Sequence, residues 1–423
     1  MNVTTWTQAA RNAARQAAEP LVKNSIFLML ASAVSAATGV VFWAVVTRLY
    51  PAQNVGIASA VLAAMALLAG FSHLGLSIGL IRFLPETERK GEVVNSSLGL
   101  VAAFSCLLAL TFLAGLPLWS PNLLFLQRNI LLSAAFILFT MGTVMLLIER
   151  TAFIALRQSK YVLFQQSVVG LLKVALPLAL VSLATFGIVA SYGIAIWATI
   201  IAFLVVLARL LKDYTPLAFA PLRSIRGLLR FSFGQYVAEN LGQLQNFLLP
   251  LIVLRVLGAE LNAFYYIAYL ITIFLFMIPV SVCSSFFAES SARPEHLHVN
   301  LRRALKFVLL VLVPAIAIIF FVGDKVLLLF GRQYSEESWE ALRLMSLSVL
   351  PFTFNEMWIT ARRVRKEIAS VMVAYGAQAA LVIGLSAVLM ASWGLKGIGL
   401  GWLLGQGVVT VFLALIALKR GSL

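Results

Sequence analysis

The chain has 423 residues, 61% of them hydrophobic and only 11% charged, with a mean hydropathy of +0.98. That leaves too little polar material to coat a water-soluble fold, and apolar runs of about 20 residues recur, so the chain reads as an all-α polytopic membrane protein. A formal charge of +16 would suggest nucleic acid on a soluble chain, but here the basic residues sit in short connections between apolar runs and no nucleic-acid-binding module is present.

Residues 1–22 are polar, with Trp6, Arg11 and Arg15 among many alanines, and lack the early apolar core of a cleavable signal peptide. They read as a cytoplasmic segment, either an interfacial amphipathic helix or a disordered tail. Twelve spans follow, at 25–47, 54–82, 94–117, 129–148, 161–185, 187–211, 231–255, 261–287, 304–323, 340–361, 368–391 and 394–418. Spans 1–6 make an N-lobe over 23–212, and spans 7–12 a C-lobe over 231–423. Between them, 213–230 places Leu222, Ile225, Leu228 and Leu229 at helical spacing opposite Arg223, Arg226 and Arg230, which predicts an interfacial linker helix.

Of the 32 Lys and Arg residues, 24 fall at the termini and in the even-numbered connections, 7 in the odd-numbered ones, and one, Lys173, inside a span. Positive charge marks the cytoplasmic side, so both termini are expected there. A shift of 207 residues lays the two halves on each other, pairing Arg48 with Arg255, Glu149 with Glu356 and Gly187 with Gly394. Six spans per half means both halves insert in the same direction, with a site at the seam between lobes.

Ionisable groups inside spans cost roughly 2.5–3.5 kcal/mol each and face a partner or a cavity. Lys173 lies mid-span, with Gln166 and Gly170 on its face and Pro177 one turn beyond. Span 7 places Gln235, Glu239, Gln243 and Asn246 at spacings of 4, 4 and 3, a polar stripe widened by Asn240 and Gln245. Two readings compete for Lys173 and Glu239: a structural ion pair, or cavity charges that contact a substrate or proton. Arg48 and Arg255 either snorkel to the interface or flank an outer cavity mouth. Glu149, Arg150, Asn355 and Glu356 read as helix caps or partners of loop cations, and His73 as a packing histidine. Cys106, Cys283 and three scattered histidines give no metal or disulfide spacing, and no catalytic residue, metal or cofactor is expected.

TRLYPAQNVGIA (47–58), joining spans 1 and 2, and LGLSIGLIRFLPE (74–86), ending span 2, resemble the Wzx-type polysaccharide-biosynthesis flippases. These form a branch of the multidrug/oligosaccharidyl-lipid/polysaccharide (MOP) superfamily. The resemblance implies a MATE-like fold of two six-helix lobes in a prokaryotic cytoplasmic (inner) membrane. It implies a polyprenyl-diphosphate-linked oligosaccharide as cargo, moved to the outer leaflet for surface polysaccharide export. Membrane lipids, a polysaccharide polymerase and glycosyltransferases are the partners it suggests. Coupling would be to H+, Na+ or membrane potential, with Glu239 the candidate coupling residue. A basic cavity would hold the diphosphate, which Lys173 fits, while Gln166, Gln235, Glu239, Gln243 and Asn246 complete the substrate-binding set. The alternatives are a multidrug or cation antiporter of the same superfamily and, from another class, a membrane glycosyltransferase or polymerase. The antiporter would rely on intramembrane acids, and span 1 offers only Ser32, Ser35 and Thr38. The enzyme would need clustered acids on a long loop, and no loop is long enough.

Overall fold

The computed structural model describes residues 3–211, 214–215, 218–220 and 222–419. Among these there are helices and turns and no strand. In chain order they are α1 (Val3–Leu49), α2 (Ala52–Ser72), α3 (Leu76–Phe83), α4 (Lys90–Ala114), α5 (Leu116–Trp119), α6 (Phe125–Arg128) and α7 (Ile130–Ala155). Then come α8 (Ser159–Ala179), α9 (Ala184–Leu210), α10 (Leu222–Val256), α11 (Ala259–Ala292), α12 (Leu297–Leu327), α13 (Arg332–Val364) and α14 (Ile368–Lys419).

Nine helices among the described residues are long and apolar enough to cross a membrane. Neither α10 nor α13 is among them, although they have 35 and 33 residues. Both carry polar groups inward, which lowers their hydropathy without shortening them. The 52 residues of α14 turn at Gly394, whose φ of 54° and ψ of −135° no helix interior holds. In the first lobe Ala184 takes the same conformation, φ 50° and ψ −132°, between α8 and α9. The first lobe is thus punctuated where the second is kinked.

Two sequence expectations change here. α10 runs unbroken from Leu222 to Val256, so the expected linker helix is the first turns of span 7 rather than a separate element. No proline interrupts the register between Leu222 and Phe231, the helix carries through Gly227, and the amphipathic pattern continues into the polar stripe. α1 is likewise continuous from Val3, while the side chains of Trp6, Arg11 and Arg15 lie outside the described residues.

The repeat is real but not gapless. The starts of α2 and α11 (Ala52, Ala259) and of α4 and α12 (Lys90, Leu297) are 207 residues apart. The left-handed residues that end α7 and α13, Arg157 and Lys366, are 209 apart, and Ala184 and Gly394 are 210 apart. α12 is longer than α4 by 31 residues to 25, which makes room for the slip. Hence Glu149 pairs with Trp358 rather than Glu356, and Lys173 with Val382 rather than Ala380. Gly187 pairs with Gly397, each packed under a carbonyl, of Leu180 and Leu389 respectively.

Packing separates the two ends of the molecule. One core cluster runs through both lobes, from Phe42, Val55 and Leu116 to Val253, Phe264 and Leu342. These residues lie toward the ends with few Lys and Arg. Toward the basic face the core divides, into an N-lobe cluster around Val94, Ile148 and Phe203 and a C-lobe cluster around Ile359, Val371 and Val409. The lobes therefore share one core at the face poor in charge and part toward the basic one except along α10, where Tyr236 donates to Phe71 O at 2.7 Å and Leu228 joins the N-lobe cluster. At the meeting end Gly56 of α2 packs directly on the Ala259 carbonyl of α11, where any side chain would collide. Asn262 of α11 donates to Gly56 O at 2.7 Å and to Ser59 Oγ at 3.2 Å.

Candidate functional site

Two cavities lie where the lobes part. The first, of about 580 Å3, is lined in the N-lobe by Lys173, Gln165 and Gln166 of α8, Arg150 of α7 and His73. The second, of about 420 Å3, is lined in the C-lobe by Glu356, Arg363, Tyr375, Phe276 and Phe352. They share Glu239 and Gln243, so the polar stripe of α10 is the wall between them. The i, i+4 spacing that made the stripe legible is what gives one helix two wet faces.

Most of the predicted residues gather here. Lys173, Gln166, Glu239 and Gln243 face the first cavity, and Glu239, Gln243 and Asn246 the second. Asn240 faces the first and Gln245 the second. Gln235 lines neither; its amide donates to Glu239 Oε1 at 3.1 Å and steadies that carboxylate. Asn246 donates to Gln243 Oε1 at 2.6 Å.

Lys173 and Glu239 do not pair: among the described residues no salt bridge joins them. Depth explains it. Lys173 is fourteen residues into α8, about 21 Å from its basic end. Glu239 is five residues past Gly234, which lies against Ile368 at the start of α14, so it sits only about 8 Å in. The depths differ because α10 begins at Leu222, well before its bilayer-length run. Lys173 is 9% exposed, its ammonium enclosed by cavity wall with no hydrogen bond or ion pair among the described residues. α8 passes through Pro177 unbroken, and the carbonyl of Pro177 accepts from Tyr50 Oη at 2.9 Å.

The residues read as caps have other duties. Glu149 is fully buried and accepts from Gln165 Nε2 at 2.7 Å. Asn355 donates to Gln406 Oε1 at 2.9 Å. Glu356 takes the Tyr375 hydroxyl at 3.1 Å on both oxygens, and Arg363 donates to that hydroxyl at 2.8 Å. Among the described residues neither carboxylate pairs with a loop cation. Sequence reasoning missed Arg150, Glu356, Arg363 and Tyr375 as cavity residues, because their place in a cavity depends on which helices, distant in sequence, lie beside them. His73 is buried, accepts from Gly75 N at 3.1 Å and stands edge-on to Tyr236, and it also borders the first cavity.

Arg48 and Arg255 stand at the closed end, each reaching across to the other lobe. Arg48 Nε donates to Leu329 O at 3.0 Å, just past α12. Arg255 donates to Leu118 O at 2.9 Å, in α5. Asn122 adds a bond to Leu254 O at 2.5 Å, and Trp43 packs on Tyr266 with ring centroids 4.7 Å apart. Both arginine side chains are exposed, and each ties its own lobe to the other where the lobes meet.

The family described as "Polysaccharide biosynthesis protein" matches residues 21–288. No curated protein matches by sequence. Among solved structures, an inward-facing multidrug resistance MATE family transporter of the MOP superfamily is similar at TM-score 0.72, with 15% identity over 94% of this chain and 98% of that one. An outward-facing one is similar at TM-score 0.63, with 16% identity over 95% of each chain. A MOP superfamily transporter from Pyrococcus furiosus, described by the reverse polarity of its binding pocket, is similar at 0.64 with 16% identity over 95% of each. At these identities the likeness establishes the fold, two lobes of the MATE type.

Proposed function

This chain belongs to the polysaccharide biosynthesis protein family, and from that premise we propose that it flips a polyprenyl-diphosphate-linked oligosaccharide from the cytoplasmic to the outer leaflet by alternating access. Family and fold are those of membrane transporters rather than enzymes. The observation that carries the finer reading is the division of chemistry between the paired cavities. A diphosphate in a poorly solvated chamber needs a cation, and Lys173 with Arg150 offers two on one wall. A sugar chain needs neutral donors and acceptors, which Gln243, Gln245 and Asn246 offer on the other. The lipid tail needs a lateral gap. α10 packs along α2 and α3, whereas its repeat counterpart α1 lies along α8 and not along α11. The cavity-lining Met277 and Val280 of α11 are left 45% and 43% exposed, an apolar edge suited to a chain that stays in the bilayer. Twelve crossings, with both termini on the cytoplasmic side, fit the helix lengths and the basic bias.

Proteoliposomes holding the protein should move a polyprenyl-diphosphate oligosaccharide between leaflets faster than empty ones. Lys173→Ala should slow that movement at least about tenfold, the loss of one charge-assisted contact, while Lys173→Arg keeps part of it. Folded protein that moves no cargo, or full activity in both variants, would sink this reading. Multidrug antiport keeps a specific observation in its favour, since Glu239 and Glu356 both face the second cavity. Efflux of an organic cation driven by a proton or sodium gradient, abolished by Glu239→Gln, would establish it instead.

A further inference from the structure

Near the basic face the C-lobe carries a groove of about 170 Å3 between α12, α13 and the second half of α14. It shares no lining residue with either transport cavity. Its walls are apolar, with Leu301, Leu305, Ala361, Leu413 and Ala417 along them and Phe354 43% exposed at the edge. At its basic end stand Arg365 and His298, both exposed.

The first lobe shows what such a groove looks like when the protein fills it. The repeat sets Val94 and Leu98 opposite Leu301 and Leu305, Phe153 opposite Arg362, and Phe203 and Leu207 opposite Leu413 and Ala417. All five N-lobe side chains are buried in one core cluster. A strap of peptide seals them. Tyr214 lies on Gly91 and gives its hydroxyl to Asn95 Oδ1 at 2.7 Å. Asn95 donates to Thr215 O and Ala218 O, both at 3.1 Å, and Ala220 N donates to Ser96 Oγ at 2.8 Å. Phe219 rests against Gly99.

The C-lobe positions matching Gly91, Asn95, Ser96 and Gly99 are His298, Arg302, Arg303 and Lys306, all exposed. Small and amide residues that hold a peptide strap are replaced by three cations and a histidine. With Ala417 in place of Leu207, the space beneath is hollow. A neutral strap has no place there, and a groove with apolar walls and a cationic rim suits an anion attached to a hydrocarbon chain. We propose that this groove binds an anionic phospholipid of the basic-face leaflet, one acyl chain lying along α12 and α14 and the phosphate held among His298, Arg302 and Arg365.

The full-length protein, delipidated in neutral detergent, would be titrated with dioleoyl-phosphatidylglycerol and with dioleoyl-phosphatidylcholine, and retained lipid counted by native mass spectrometry. Phosphatidylglycerol should be held at least about tenfold more tightly, and Arg302→Gln or Arg365→Gln should each weaken it by about fivefold, as expected for one basic residue at a lipid surface. Ala417→Leu restores the bulk of the N-lobe and should expel the chain. Equal retention of the two lipids, unchanged binding in the arginine variants, or no lipid at all would overturn the proposal. The arginine variants change only exposed side chains, so the outcome does not depend on how the core tolerates leucine.

Discussion

At the scale of single residues, two buried carboxylates, Glu356 and Glu149, have unlike support. Glu356 has a tyrosine on both oxygens and Arg363 behind it, facing open space. Glu149 is sealed, with Gln165 on one oxygen and no partner for Oε1. A sealed polar pair stabilises only while both members remain, because an orphaned group loses its hydration without return. Gln165→Leu should therefore destabilise the folded protein by about 1–3 kcal/mol. Glu149→Gln, which keeps an oxygen acceptor and removes a desolvated acid, should be close to neutral. Thermal unfolding in detergent would check both; a Gln165→Leu variant as stable as the parent would show the pair to be dispensable. The sequence made the position of Glu149 plain but not its burial. A charge two turns from a loop looks wet in one dimension, and only the fold shows α8 lying over it.

At the scale of elements, the contact of α2 with α11 is the tightest between the lobes. Gly56 allows the backbones to touch, and Asn262 bonds across the contact it creates. Gly56→Val would drive a branched side chain into the Ala259 carbonyl, costing about 1–3 kcal/mol if the helices give way. Because the strain falls only where the lobes meet, it should appear as a loosened closed end rather than as general unfolding. Cysteines placed at the tips of α2 and α11 should react faster with a membrane-impermeant maleimide in that variant; unchanged labelling would mean the contact is not under load. The glycine was visible in the sequence as the start of span 2, but its partner was not, since Ala259 belongs to the other half. The stripe on α10 was legible because periodicity is local. Arg150 and Tyr375 were not, because their place in a cavity depends on how helices far apart in sequence are set side by side.

For the whole molecule, the repeat makes the closed end reciprocal. Arg48 and Arg255 are 207 residues apart, each on the last turn of its helix, and each ties a pair of carbonyls in the opposite lobe. Arg48 reaches Leu328 and Leu329, and Arg255 reaches Leu118 and Trp119. Carbonyls at a helix end carry partial negative charge and lack partners in their own helix, so a guanidinium satisfies them well. The sequence singled out both arginines as a related pair but placed them at a lipid interface or an open mouth, because nothing local says which lobe a long side chain will reach. Both are exposed, which limits each tie to about 1 kcal/mol. Two such ties shift the balance between closed and open ends by about thirtyfold. If the molecule alternates, cutting both ties should raise the population open at the charge-poor face. Arg48→Ala with Arg255→Ala should therefore broaden spin-label distances between the tips of α1 and α12, and those between α5 and α10, toward longer values. Each single variant should give roughly half that free-energy change. A double variant with the parent's distances would mean that Gly56, Asn262 and the shared core hold the end shut without them. The basic-face cavities should narrow as the other end opens, since the lobes pivot on the shared core rather than separate.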